Sequence, residues 1–169
     1  MSHITLKGQT MKVIDGFIKQ GGILMNFTLN NDKLEEVTLE NFKGLKKVIA
    51  TIPSVDTPVC SKETVDINRL AKEYPSITFI IVSRDLPFAQ ARFCKNEALT
   101  NIILLSDMLW DSTFAHDYGV KIVSGPLTGL LARAIFVADA QDKVTYSELV
   151  EDLGNPPNFG FLKEALQKL

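Results

Sequence analysis

The run Lys47-Val48-Ile49-Ala50-Thr51-Ile52, closed by Pro53 and followed by the pair Thr57-Pro58, constrains this chain more than any other stretch. Five apolar or β-branched residues in a row suit a strand covered on both faces, and a proline cannot extend the hydrogen-bonded ladder. Thr57 suits a helix N-cap and Pro58 the first helical position, where no amide hydrogen is needed. A buried strand that hands over to a helix within a few residues is half of a β-α-β unit, and the rest of the chain has to supply neighbours for it.

It does so in a repeating order. Ile67, Leu70, Ala71 and Tyr74 fall at helical spacing after Thr57, and Pro75 marks the end of that helix. Ile77 to Val82 predicts a second apolar strand, a helix carrying Cys94 starts near Pro87, and Ile102 to Leu105 predicts a third strand. Strands alternating with helices imply α/β layering. Upstream, Ile4 to Ile14 alternates around Gly8 and reads as a β-hairpin, followed by a loop rich in Gly21, Gly22, Asn30 and Asn31. Downstream, a helix around Ser112 to Tyr118 and a loop with Gly119, Gly125, Pro126 and Gly129 precede two strands, Arg133 to Ala138 and Lys143 to Val150, about the turn Asp139 to Asp142. A last amphipathic helix from Phe159 places Phe161, Leu162, Ala165, Leu166 and Leu169 on one side. With no linker, repeat or low-complexity segment, residues 1–169 are expected to form a single domain of ordinary size.

Charge excludes some partners. Eighteen basic against 20 acidic side chains leave a net charge of −2, so no electrostatic footprint for nucleic acid or an anionic membrane is present. No apolar run approaches a membrane span, and Met1 to Lys7 lacks the features of a signal peptide, so a cytoplasmic protein is expected.

Only two cysteines occur, Cys60 and Cys94. The Thr57-Pro58 start makes Cys60 the third helical residue, where unpaired backbone N–H groups and the positive end of the helix dipole favour a thiolate, the nucleophilic form of the side chain. The plainer reading is a buried, inert cysteine. In a reducing compartment, a cysteine pair is more often catalytic or metal-binding than a permanent bridge. A dithiol exchanger would carry Cys-x-x-Cys, but Thr57 stands three residues before Cys60 and Glu63 three after it. A metal site would have to draw on Cys60, Cys94, His3 and His116, whose spacings match no compact zinc pattern. His116 reads more simply as a partly exposed helical histidine. Neither a metal nor an organic cofactor is implied.

Three segments resemble the thiol peroxidases, the atypical two-cysteine branch of the peroxiredoxins: Pro53-Ser54-Val55-Asp56-Thr57-Pro58-Val59-Cys60-Ser61, Asp85-Leu86-Pro87-Phe88-Ala89-Gln90-Ala91-Arg92-Phe93-Cys94, and Gly129-Leu130-Leu131-Ala132-Arg133-Ala134. The resemblance spans nearly the whole chain. It implies a thioredoxin-like α/β fold with an N-terminal β-hairpin and a central mixed sheet flanked by helices, a homodimer, and reduction of hydrogen peroxide and organic hydroperoxides with thioredoxin as electron donor. By resemblance, Cys60 matches the peroxidatic cysteine, which becomes a sulfenic acid, and Cys94 the resolving cysteine, which closes a Cys60–Cys94 disulfide. Thr57 and Arg133 match the polar partners of the thiolate, and Pro53 the residue that shields it from solvent. Each has a plainer reading: Thr57 as an N-cap, Arg133 as a charge at a strand entrance, Pro53 as a strand stop, Cys94 as a spectator. Two departures from the family pattern stand out: Pro58 where a small residue is usual, and the stretch Gly154 to Gly160. Because the sulfurs lie on separate helices and must approach bonding distance, partial unwinding between redox states is expected, most easily from Pro87 to Asn96.

Overall fold

The computed structural model describes residues 1–169. Its centre is a seven-stranded sheet in which β5 (Lys47–Thr51), β6 (Thr78–Ser83) and β7 (Ile103–Ser106) run parallel. On one side β8 (Ala134–Ala138) lies antiparallel to β5, and β9 (Val144–Leu149) antiparallel to β8. On the other side β3 (Thr28–Asn30) joins β7 and β4 (Glu36–Thr38) completes the edge. The strand order is β4-β3-β7-β6-β5-β8-β9, and β1 (Ser2–Leu6) with β2 (Gln9–Val13) forms the separate N-terminal hairpin.

Alternation along β5 explains the two-sided core. Ile49 packs with Ile80, Val82, Phe136, Phe114 and Tyr118 on one face. Val48, Ala50 and Ile52 pack with Phe79, Ile81, Ile135 and Cys60 on the other. Successive side chains of a strand point to opposite faces, so a run apolar at every position needs both faces covered. Helix α1 (Pro58–Glu73) contributes Ile67, Leu70 and Ala71 to the second face, where α4 (Phe159–Gln167) adds Leu162 and Leu166. Burying Ile67 alone contributes about 1.5–3 kcal/mol. α2 (Pro87–Glu97) lies against β7 on this face, with Phe93 and Cys94 packed at its border.

Several elements differ from the sequence expectation. The segment read as a loop around Asn30 and Asn31 forms β3, a turn and β4, followed by a 3-10 turn over Leu39–Phe42. These strands have three residues each, too short to display a periodicity. α3 is confined to Phe114–Asp117, and β8 starts at Ala134, leaving Arg133 just ahead of the strand. In α4 the buried stripe runs through Leu162 and Leu166, whereas Phe161, a hundred degrees round the helix from Leu162, is 57% exposed and belongs to the solvent side. No helix is long and apolar enough to cross a membrane.

One backbone position admits only glycine. Gly119, after α3, has φ +65°, and a Cβ there would lie 2.1 Å from the backbone nitrogen of Phe17. At the opposite end of β5 from α1, Lys47 is fully buried and paired with Asp142 of the β8–β9 turn. A buried ammonium needs such an anion.

Candidate active site

The loop after β5 and the first turn of α1 build the site. The hydroxyl of Thr57 accepts the backbone N–H of Cys60 at 3.4 Å and donates to the carbonyl of Ser54 at 3.3 Å, so it caps the helix as its sequence position requires. Both of its hydrogen-bond partners are backbone groups of the turn, and the sulfur is not one of them. Pro58 begins the helix, and Cys60, its third residue, is fully buried. Pro53 is buried at the mouth of the loop, between β5 and Ser54.

Arg133 reaches this thiol from 73 residues away in sequence. β8 runs antiparallel to β5 with Thr51 opposite Ala134, so the residue just ahead of β8 stands where β5 leaves the sheet. Its guanidinium, 1% exposed, donates through Nη1 to Cys60 Sγ at 3.4 Å and to the Glu63 carboxylate, and through Nη2 to the Leu153 carbonyl at 2.9 Å. The solvated strand-entrance charge is thereby excluded. Burial opposes the charge of Arg133, but Glu63 and Cys60 more than compensate and hold its pKa above the ordinary value.

Glu63 is the functional residue that sequence reasoning passed over, having figured only as the residue that breaks a Cys-x-x-Cys pattern. The signal was its spacing: an acid three residues after a first-turn thiol shares its helix face and turns inward with Ile67. Glu63 is fully buried, and burial raises its carboxyl to about 7 in spite of the charge and hydrogen bond of Arg133, with Glu148 adding to the rise. Ion pairing alone would push the two partners apart in opposite directions; both rise here because desolvation dominates for the smaller, acceptor-only group. Glu63 Oε1 and Arg133 Nε have no hydrogen-bond partner.

Cys94 stands apart from this cluster. It is half-buried on α2 and opens into a cleft of about 400 Å³ lined by the Asn31–Lys33 turn, Glu35, Gln90, Leu99 and β7. Burial, reinforced by Asp32, pushes its thiol up, which keeps it protonated. Both cysteines are free, and both border the apolar cluster beneath α1 and α2. The structure therefore brings together Cys60, Thr57, Arg133 and Pro53 at the end of β5 and leaves Cys94 on a neighbouring helix. His3 and His116 are exposed, and no three His, Cys, Asp or Glu side chains come together as a metal-binding group.

A first-turn thiol beneath a buried arginine, at the carboxyl end of an inner strand of a thioredoxin-like sheet, defines the peroxiredoxin class of thiol enzymes. The sequence profile described as Redoxin matches residues 19–161. The chain belongs to that family, on its thiol peroxidase branch. It is 38% identical to a thiol peroxidase of Staphylococcus haemolyticus over 169 residues, 100% of both chains, and 36% identical to one of Leptospira interrogans over 160 residues, 94% of each. Among solved structures, a peroxiredoxin-like protein from Aquifex aeolicus superposes with a TM-score of 0.92 at 33% identity, covering 99% of this chain and 97% of that one. The thiol peroxidase from Chromobacterium violaceum gives the same score and coverage at 30% identity.

Proposed function

We propose that the enzyme, a thiol-dependent peroxidase, uses Cys60 as its peroxidatic and Cys94 as its resolving cysteine. The contact between the Arg133 guanidinium and Cys60 Sγ carries this reading, because a cation held against a sulfur in a helix's first turn favours the thiolate. The Cys60 thiolate attacks the terminal oxygen of a hydroperoxide, the O–O bond breaks, and the leaving oxygen takes a proton to become water or an alcohol. Arg133 steadies the negative charge as it moves from sulfur to the leaving oxygen, with donors in a fixed fork. Thr57 fixes the turn that holds the sulfur, and Pro53 walls it from bulk water. The Cys94 thiol then condenses with the Cys60 sulfenic acid: an S–S bond forms, the S–O bond breaks, and the Cys94 proton leaves with the hydroxyl as water.

A thioredoxin-type dithiol exchanges with the disulfide and restores both thiols. A homodimer of single-domain chains completes the reading and is checked by sedimentation of the reduced protein. The decisive test is a thiol count with peptide mass analysis before and after one equivalent of cumene hydroperoxide. Loss of both thiols with a Cys60–Cys94 cross-link is expected. A Cys94→Ser chain should consume about one peroxide and stop at the sulfenic acid, and two intact thiols in the parent would end the proposal.

A further inference from the structure

The motif segment that opens α2 holds a group with no part in the chemistry described so far. Asp85, at the junction of β6 and α2, accepts three hydrogen bonds on its carboxylate: from the Ser54 hydroxyl at 2.7 Å, the Val55 backbone N–H at 2.8 Å and the Ser83 hydroxyl at 2.7 Å. Its own carbonyl accepts the Ser106 hydroxyl. Ser83 in turn accepts from Gln90 Nε2 at 3.0 Å, and the same amide nitrogen donates to the Leu105 carbonyl at 2.9 Å. A continuous chain of side chains, Gln90–Ser83–Asp85–Ser54, thus runs from the first turn of the helix carrying Cys94 to the loop carrying Cys60.

The network divides α2 into two unequal parts. Pro87 and Gln90 are the buried residues of the helix, and both lie in its first turn. Beyond Gln90 every residue to Glu97 is half-buried or exposed, and the helix stops at Ala98, an alanine with φ +53°. Few buried contacts and a left-handed cap make that half the segment of lower local stability. Gln90 lines the cleft beside Cys94, and its Oε1 is buried without a hydrogen-bond partner.

We propose that Asp85 is a positioning residue for disulfide formation: it ties the Cys60 loop to the fixed first turn of α2, so that only the arm beyond Gln90 unwinds to deliver Cys94. The proposal rests on the assigned roles of the two cysteines. Counted from the clamp at Val55 and from the fixed Gln90, the arms ending at the two sulfurs total 9 residues; with the Cys60 loop released back to the end of β5 they total 13. By the three-halves power dependence of chain closure on length, loss of the clamp lowers the frequency of sulfur encounter by about 1.7-fold, before any loss of orientation.

The test separates the two chemical steps by rapid mixing of reduced protein with peroxide, in the parent, Asp85→Ala and Ser54→Ala, each checked for unchanged helix content. Both variants are expected to form the sulfenic acid at the parent rate within 1.5-fold, to close the disulfide at least twofold more slowly, and to accumulate at least twice as much Cys60 sulfinic acid per turnover. The sulfinic yield reports competition between a second peroxide and Cys94, and a merely structural role for Asp85 would not move it while leaving the first step intact. If the parent forms no Cys60–Cys94 disulfide, the assigned cysteine roles fail. If the parent forms it and both variants close it at the parent rate, the roles stand and the clamp is overturned. Should Asp85→Ala not fold, Ser54→Ala, which removes one hydroxyl, decides alone.

Discussion

Replacing Glu63 by glutamine should flatten the dependence of this protein's stability on pH. Glu63 is fully buried, and its carboxyl is raised from 4.5 to about 7, chiefly by desolvation, with Arg133 opposing the rise. The native state keeps this proton up to about pH 7, while the unfolded chain releases it near 4.5. Between those values the native state binds more protons than the unfolded one, so the contribution of Glu63 is fully present below pH 4.5 and is lost as pH rises through 7. At 1.36 kcal/mol per pH unit the loss comes to about 3 kcal/mol, a large share of an ordinary stability of about 5–15 kcal/mol. Glu63→Gln keeps an amide oxygen for Arg133 and has nothing to titrate. Urea unfolding of reduced parent and variant at pH 5, 6, 7 and 8 gives two profiles whose difference cancels the titrating groups that Glu63 does not touch. The parent should lose about 2.5 kcal/mol relative to the variant between pH 5 and pH 8, the part of the whole that falls inside that window. Profiles parallel within about 0.5 kcal/mol would show that Glu63 does not titrate there and that its burial has been misjudged.

Arg133→Lys should leave both thiols countable yet slow the peroxide step about tenfold or more. One ammonium cannot serve Cys60, Glu63 and the Leu153 carbonyl together, and the loss of one charge-assisted hydrogen bond of about 1.5–3 kcal/mol has that effect on a rate. A peroxide rate within twofold of the parent, read by rapid mixing, would remove Arg133 from the mechanism. Gly119→Ala should cost at least about 2 kcal/mol and lower the melting temperature by about 4–8 °C, because its Cβ would overlap the Phe17 backbone and its φ of +65° disfavours a side chain. An unchanged melting temperature in calorimetry would mean that the Gly16–Phe17 segment yields without penalty.

The parts of the site that could be read from the sequence are those that local chemistry dictates. Proline after an apolar run stops a strand wherever it occurs, and Thr-Pro starts a helix, so the position of Cys60 followed from the eight residues Pro53 to Cys60. The three parallel strands were legible because strands buried on both faces carry a continuous apolar signature. β3 and β4 carried no such signature: three residues each, with Asn30 and Glu36 among them, they are strands only because β7 and each other supply the ladder. Arg133 could be placed at the thiol by family resemblance but not by its neighbours, since the antiparallel pairing of β8 with β5 is a long-range fact. Glu63 and Asp85 were hidden for a related reason. A carboxylate in a sequence announces solvent, and only the distant guanidinium or the adjacent serines turn it inward.

The position of β8 beside β5 also governs when in the life of the chain the cluster around Cys60 is assembled. The Cys60 turn and its N-cap are local and can form with the first half of the polypeptide, but the guanidinium arrives only when a strand from the last quarter inserts against β5. Pairings of such sequence separation form late, because loop-closure entropy opposes them until much of the sheet exists. A nascent or partly folded chain therefore carries Cys60 without the Arg133 guanidinium beside it. The contact between guanidinium and sulfur is made by the closing of the sheet, and the cluster around residue 60 is complete only when there is a finished protein around it.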